Sequence, residues 1–148
     1  MLFTTKARYA VMAVLDIANS KDEKPVSLKE VAIRQNIKLN YLEQIMNKLS
    51  KASIVIPVKG PGGGYKIKSR TITIDQIIDA VDEPIKITRC SLGKSCMPDN
   101  NILCNSHHLW NGLTLQIRNY FSSISLEEVL SSEFKERIYS QLGLEKIL

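Results

Sequence analysis

The sequence predicts a mainly α fold with a small β-hairpin, and a long helix that follows the compact part. Three observations carry this reading. Within the first 51 residues, a stretch with helical periodicity is followed by two shorter ones, each opened by a capping residue. Two β-branched runs then flank the glycine-rich "KGPGGG" at 59–64. Further on, an apolar residue recurs every three or four positions through Trp110, Leu113, Ile117, Tyr120 and Ile124.

The first helix covers 5–19, where Tyr9, Met12, Ala13, Leu15 and Ile17 share a broad apolar face. "KDEKP" at 21–25 ends it as a polar turn. Ser27 and Glu30 form a Ser-x-x-Glu capping box, opening a short helix over about 28–35 that buries Leu28, Val31 and Ala32. "NIKL" at 36–39 is the turn, and Asn40, with Glu43 three residues on, is the expected N-cap of a helix over 41–51. That helix places Leu42, Ile45, Met46 and Leu49 inward and shows Glu43, Gln44, Asn47, Lys48 and Lys51 outward. Two short capped helices joined by a tight turn, after a longer helix, are a helix-turn-helix pattern.

"SIVIPV" at 53–58 and "YKIK" at 65–68 read as strands around the glycine tip, the hairpin wing of a winged helix-turn-helix. A phosphate-binding loop is the competing reading of "GPGGGY". It lacks the terminal Gly-Lys-Ser/Thr and is followed by a strand, not a helix. Thr73 and Gln76 cap a helix over 74–82 that buries Ile74, Ile77, Ile78 and Val81, and Pro84 closes the unit. From His107 the chain turns helical again. Its apolar seam (Trp110, Leu113, Ile117, Tyr120, Ile124) predicts a dimer helix crossing its twofold mate, against the plainer alternative that it folds back on its own domain. Ser125 and Glu128 cap a last helical, amphipathic tail. The expected organisation is a winged helix-turn-helix domain at 1–84, a thiol-bearing loop at 85–106, and a dimerisation helix with tail at 107–148.

Composition bounds the function. With 148 residues and 44% of them hydrophobic, the chain buries a core of its own. No apolar run approaches membrane-spanning length, and the charged N-terminal stretch lacks a cleavage pattern, so a cytoplasmic protein with no membrane partner is expected. Residues 1–70 hold thirteen Lys/Arg against five Asp/Glu, a net of +8, while residues 71–148 hold seven against ten, a net of −3. A basic first half of this kind suits a polyanion such as duplex DNA, and a solvated basic surface is the bland reading of the same charge. No constellation of catalytic acid, base and nucleophile accompanies it, so no enzyme is expected.

Every cysteine and both histidines lie in "RCSLGKSCMPDNNILCNSHHLW" at 89–110. Five residues separate Cys90 from Cys96, seven separate Cys96 from Cys104, and two separate Cys104 from His107. Three thiolates and an imidazole suit structural zinc, whose cysteine pairs are usually closer, or an iron–sulfur cluster, which tolerates wider loops because its ligands reach different metal atoms. A thiol redox switch, with Arg89 and Lys94 lowering a thiolate pKa, and ordinary buried thiols are the other readings. The wide intervals favour the cluster, and the position at a helix start favours His107 over His108 as the fourth ligand.

The segments "TTKARYAVMAVLDIA", "LNYLEQIMNKLSKASIV", "VKGPGGGYKI", "IIDAVDEPI" and "C…C…CNSHHLW" resemble the Rrf-two family of bacterial winged-helix transcription factors, in particular its iron–sulfur cluster regulators. The resemblance runs from residue 2 to about 130. It implies a homodimeric DNA-binding repressor, sometimes an activator, that senses iron–sulfur cluster status and controls cluster-assembly genes. It implies a 2Fe-2S cluster on Cys90, Cys96, Cys104 and His107, supplied by the iron–sulfur assembly machinery. A nitric-oxide- or redox-sensing member of the same family, or a zinc-site winged-helix regulator, is the alternative. Three features depart from the family pattern: the long Cys96–Cys104 interval, Asn40 where Ser or Thr is usual, and Lys59 where an arginine is expected.

On this reading the helix at 41–51 enters the major groove of a palindrome-like operator. Gln44 is the expected base reader, followed by Asn40 and Glu43. Thr5, Lys6, Arg8, Tyr41, Lys48 and Lys51 are expected to position phosphates, with Lys59 and Gly60 at the wing tip.

Overall fold

The computed structural model describes residues 4–20, 24–83, 85, 87, 96 and 103–143. In chain order the elements are α1 (Thr5–Ala18), α2 (Leu28–Gln35), α3 (Leu39–Lys51), β1 (Val55–Val58), β2 (Gly64–Ile67), α4 (Ile74–Ala80), α5 (His107–Ser122), α6 (Leu126–Leu130) and α7 (Ser132–Leu142). The predicted class, mainly α with one hairpin, is the observed one. Pro84 lies outside the described residues.

Caps set the helix starts. Thr4 accepts from the amide of Ala7 at 3.2 Å and opens α1. Ser27 accepts from Glu30 N at 3.5 Å and opens α2. At α4 both halves of the box form: Thr73 Oγ1 accepts from Gln76 N at 3.4 Å, and Gln76 Oε1 accepts from Thr73 N at 3.0 Å. Ser125 Oγ accepts from Glu128 N at 3.2 Å and opens α6. Each such cap contributes about 1 kcal/mol.

The start of α3 corrects the expectation that Asn40 is its N-cap. The helix begins at Leu39, and the cap position falls on Lys38, which makes no side-chain cap bond. Tertiary packing outweighs the capping preference here. Leu39 and Tyr41 pack partly buried against the core, which draws the first turn forward, and the Lys38 carbonyl accepts from Leu42 N at 3.0 Å. Asn40 is thus an exposed first-turn residue. The preceding turn is accordingly Asn36–Lys38, with Asn36 in the left-handed region at φ 52° as the C-cap of α2. Asn is one of the few non-glycine residues that tolerate this conformation.

Leu42, Ile45, Met46 and Leu49 of α3 are fully buried, as their spacing predicts, and α3 packs on α1, whose buried residues include the small Ala7, Ala10, Ala13 and Val14. Alanines let the two helix backbones approach closely. β1 and β2 pair antiparallel, from Val55 opposite Ile67 to Val58 opposite Gly64. The hairpin is tied to the segment before α2, where Val26 and Tyr65 exchange two backbone hydrogen bonds of 2.9 Å. Glycine is needed at 64 for this join, because a Cβ there would run into the Val26 carbonyl.

After α5 the chain returns to the core. Ile74 N donates to Ile124 O at 3.0 Å and Leu126 N donates to Ile72 O at 2.9 Å, so the start of α6 is hooked beside the start of α4. Ile124 is 4% exposed and Leu126 fully buried. This corrects the seam: Ile124 lies beyond the end of α5 and belongs to the chain's own core, so the apolar face left on α5 ends at Tyr120. The seam's spacing continued past Ser122, but the helix did not. Ile117 and Phe121 rest against the core, and Arg118 joins α5 to α4 through Asp75 at 3.1 Å and Asp79 at 2.7 Å. No helix among the described residues is long and apolar enough to cross a membrane.

Candidate nucleic-acid interface and thiol–imidazole site

The outer face of α3 carries Asn40, Glu43, Gln44 and Lys51, all exposed, and the same residues lie opposite its buried stripe. Thr5 and Arg8 are exposed at the start of α1, and Lys59 and Gly60 are exposed at the wing tip. Gly60, at φ 99°, has nothing within 4 Å of where a Cβ would stand, so its glycine serves the turn alone. Tyr41 is half-buried, its ring edge-on to Tyr9 at 6.0 Å between centroids, and it links α3 to α1 as well as bordering the face.

Two of the lysines expected to meet phosphate are already ion-paired. Lys48 Nζ lies 2.6 Å from Asp82 Oδ2, and Lys6 Nζ lies 3.3 Å from Glu83 Oε1. Hydrogen bonding to Asp82 raises the Lys48 ammonium above its ordinary pKa, and the same bond lowers Asp82. Asp82 sits at φ 56°, just past the C-cap of α4, and the chain leads from there into the cysteine stretch. The sequence signal for this acidic pair is two adjacent carboxylates, Asp82 and Glu83, at the end of the helix that follows the basic half.

The second cluster gathers at the start of α5. His107 is buried at 3% exposure, and its Nδ1 lies 2.9 Å from Cys96 Sγ. Its Nε2 lies 2.7 Å from Asn111 Nδ2, one helical turn on, and Asn111 is itself buried. Cys104 Sγ is 3.5 Å from Ser106 Oγ; that hydroxyl first, and Cys96 second, hold the Cys104 thiol below its ordinary pKa. His108 is exposed, with its ring 5.5 Å from that of His107. Cys96, Cys104 and His107 are therefore neighbours, whereas Cys90 lies outside the described residues. No group of three or more His, Cys, Asp or Glu side chains able to hold a single metal ion occurs among the described residues. Asn111 went unnoticed in the sequence; the i, i+4 spacing from His107 was its signal.

Comparison with known proteins finds one family along most of the chain. Residues 3–132 match the family model Rrf2, described as an iron-dependent transcriptional regulator. The chain is 42% identical to the HTH-type transcriptional regulator IscR of Photorhabdus laumondii, over 90% of this chain and 81% of that one. It is 37% identical to IscR of Aliivibrio salmonicida, over 100% of this chain and 88% of the relative. Among solved structures, CymR, the global cysteine regulator of B. subtilis, superposes with TM-score 0.71 at 27% identity, covering 87% of this chain and 95% of that one. T. potens IscR superposes with TM-score 0.68 at 26% identity, covering 99% and 93%. These relatives are transcription regulators, not enzymes. With its helix pair, its wing and a family match over nearly the whole chain, this protein belongs to the Rrf2 family of DNA-binding transcriptional regulators.

Proposed function

We propose that the protein is a homodimeric repressor that senses iron–sulfur cluster status through a 2Fe-2S cluster and controls cluster-assembly genes. The observation that carries this is the contact between Cys96 Sγ and His107 Nδ1 at 2.9 Å, with Cys104 beside it. Sulfur and imidazole donors on a shared site, with wide sequence intervals between them, suit a cluster whose ligands reach separate iron atoms. Cys90, Cys96, Cys104 and His107 would hold it, and when bound it supplies a redox-responsive link between the loop and α5. The presence of His107 in this contact favours a histidine-ligated cluster over the three-cysteine, nitric-oxide-sensing alternative. The names of the IscR relatives support the same reading.

On the DNA side, α3 would lie in the major groove with Gln44 reading a base edge, Asn40 and Glu43 flanking it. Thr5, Lys6, Arg8, Tyr41, Lys48, Lys51, Lys59 and Gly60 would contact the backbone. The second copy would cross α5. Leu109, Trp110, Leu113 and Tyr120 are 66%, 36%, 41% and 49% exposed on that helix, and Ala7, Val11, Met12, Ile78 and Phe121 line an open apolar groove nearby. An apolar helix face beside an apolar groove is self-complementary under a twofold axis. The assembly machinery would donate the cluster.

The test is purification without oxygen, with a visible spectrum and iron, sulfide and zinc analysis. A red-brown protein with about two irons and two sulfides per chain, colourless in Cys96→Ala and His107→Ala, is the expected result. A colourless protein with stoichiometric zinc overturns it in favour of a zinc site.

A further inference from the structure

We infer that Asn111 is the positioning residue of the His107 imidazole and fixes Nδ1 as its iron-ligating atom. The inference rests on the cluster reading above. Both ring nitrogens are engaged on opposite sides: Nδ1 faces Cys96 Sγ at 2.9 Å, and Nε2 faces Asn111 Nδ2 at 2.7 Å. His107 and Asn111 are both buried on the inner side of α5, so water does not compete for either nitrogen. Nε2 is thus occupied by the helix's own side chain, and the nitrogen left facing the thiols is Nδ1.

The choice of an amide has a chemical reason. An Asn111 N–H₂ facing Nε2 at 2.7 Å suits a ring whose proton sits on Nδ1, the nitrogen that faces the Cys96 sulfur. To ligate through Nδ1, a neutral imidazole must give up that proton and hold one on Nε2 instead. A half-turn of the Asn111 amide then presents Oδ1 as the acceptor. A carboxylate could serve only the second state and an apolar side chain neither. Asn111 would therefore brace the ring with and without the cluster, the kind of outer support that orients ligating histidines.

Two measurements test this. In cluster-free protein with ¹⁵N-labelled histidine, nuclear magnetic resonance should show His107 as the Nδ1–H tautomer, and Asn111→Asp should switch it to Nε2–H. An unchanged tautomer in the variant overturns the inference. In protein reconstituted anaerobically with ferrous iron and sulfide, hyperfine spectra of the reduced sample should show direct coupling to ¹⁵Nδ1; direct coupling to ¹⁵Nε2 overturns it. Asn111→Leu should surrender iron to a chelator roughly 10- to 100-fold more readily, with Asn111→Asp restoring retention at a lower reduction potential. Retention in Asn111→Leu equal to wild type also overturns it. Should Asn111→Leu fail to fold, Asn111→Asp decides by its potential, an unchanged value counting against the inference. Wild-type protein that takes up no cluster sinks the proposed function instead, and the tautomer comparison then judges Asn111 alone.

Discussion

The ammonium of Lys48 on α3 lies 2.6 Å from the carboxylate of Asp82, which stands where the chain leaves α4 for the cysteine stretch. One carboxylate thus occupies a cation on the helix expected to read DNA, and Glu83 does the same to Lys6. If Lys6 and Lys48 contact phosphates as proposed, DNA binding would exchange these carboxylates for phosphates. Asp82→Asn should therefore strengthen binding to every duplex alike, by about two- to fivefold at low salt, because it frees the cation and removes a charge of the phosphate's own sign. Fluorescence anisotropy on operator and scrambled duplexes measures this, and weaker or sequence-selective binding would contradict it. Lys48→Ala should do the opposite, weakening all sequences and reducing the salt slope by about one.

The same pair sets an expectation for pH. Hydrogen bonding between them lowers Asp82 and raises Lys48, so each stays charged beyond its ordinary limit. The stabilisation from Asp82 is present above its unfolded-state pKa and is lost only as pH falls through the lower folded value. Between about pH 6 and pH 9 the pair should not titrate, and added salt, not pH, should weaken it. A break in DNA affinity within that window that disappears in Asp82→Asn would show otherwise.

Gln44 stands exposed on α3 with no buried role, so its truncation leaves the fold intact. Gln44→Ala should cost about 1–3 kcal/mol of discrimination at one base position of each half-site. Binding titrations across a panel of single-base operator variants should flatten at that position only. A uniform loss across the panel would move Gln44 to the phosphate contacts.

Gly64 abuts the Val26 carbonyl so closely that no Cβ fits without moving the hairpin. Gly64→Ala should destabilise the fold by about 1–3 kcal/mol, whereas Gly60→Ala, in open space, should cost only its positive-φ strain of roughly 1 kcal/mol. Urea unfolding of the two variants ranks them. Equal costs would mean that the wing adjusts without resistance.

Leu126 is fully buried although it lies beyond α5. Leu126→Ala should lower stability by about 2–5 kcal/mol in the same assay. Leu113→Glu, on the exposed side of α5, should instead leave stability of the subunit nearly unchanged while converting a dimer to a monomer in sedimentation equilibrium. A Leu113→Glu protein that remains dimeric would remove α5 from the interface.

Much of this architecture was legible in the sequence because its causes are local. Ser27, Thr73 and Ser125 cap helices through residues three positions away, and the stripe Leu42–Ile45–Met46–Leu49 follows from helical geometry alone. The wing followed from β-branched runs and glycines, and the thiols and imidazoles announced themselves by their crowding. What only the tertiary structure decided concerns partners distant in the chain or competing local preferences. Asn40 was displaced from the cap because burial of Leu39 and Tyr41 outweighs one capping bond. Ile124 turned inward because its carbonyl receives the amide of Ile74, fifty residues earlier in sequence. Lys48 meets Asp82 across 34 positions, a contact set by how α4 packs beside α3 and not by any spacing. The sequence by itself determined which segments are helix and hairpin; packing determined which side chains those segments bring face to face, because burial is a property of the assembled core and not of any one segment.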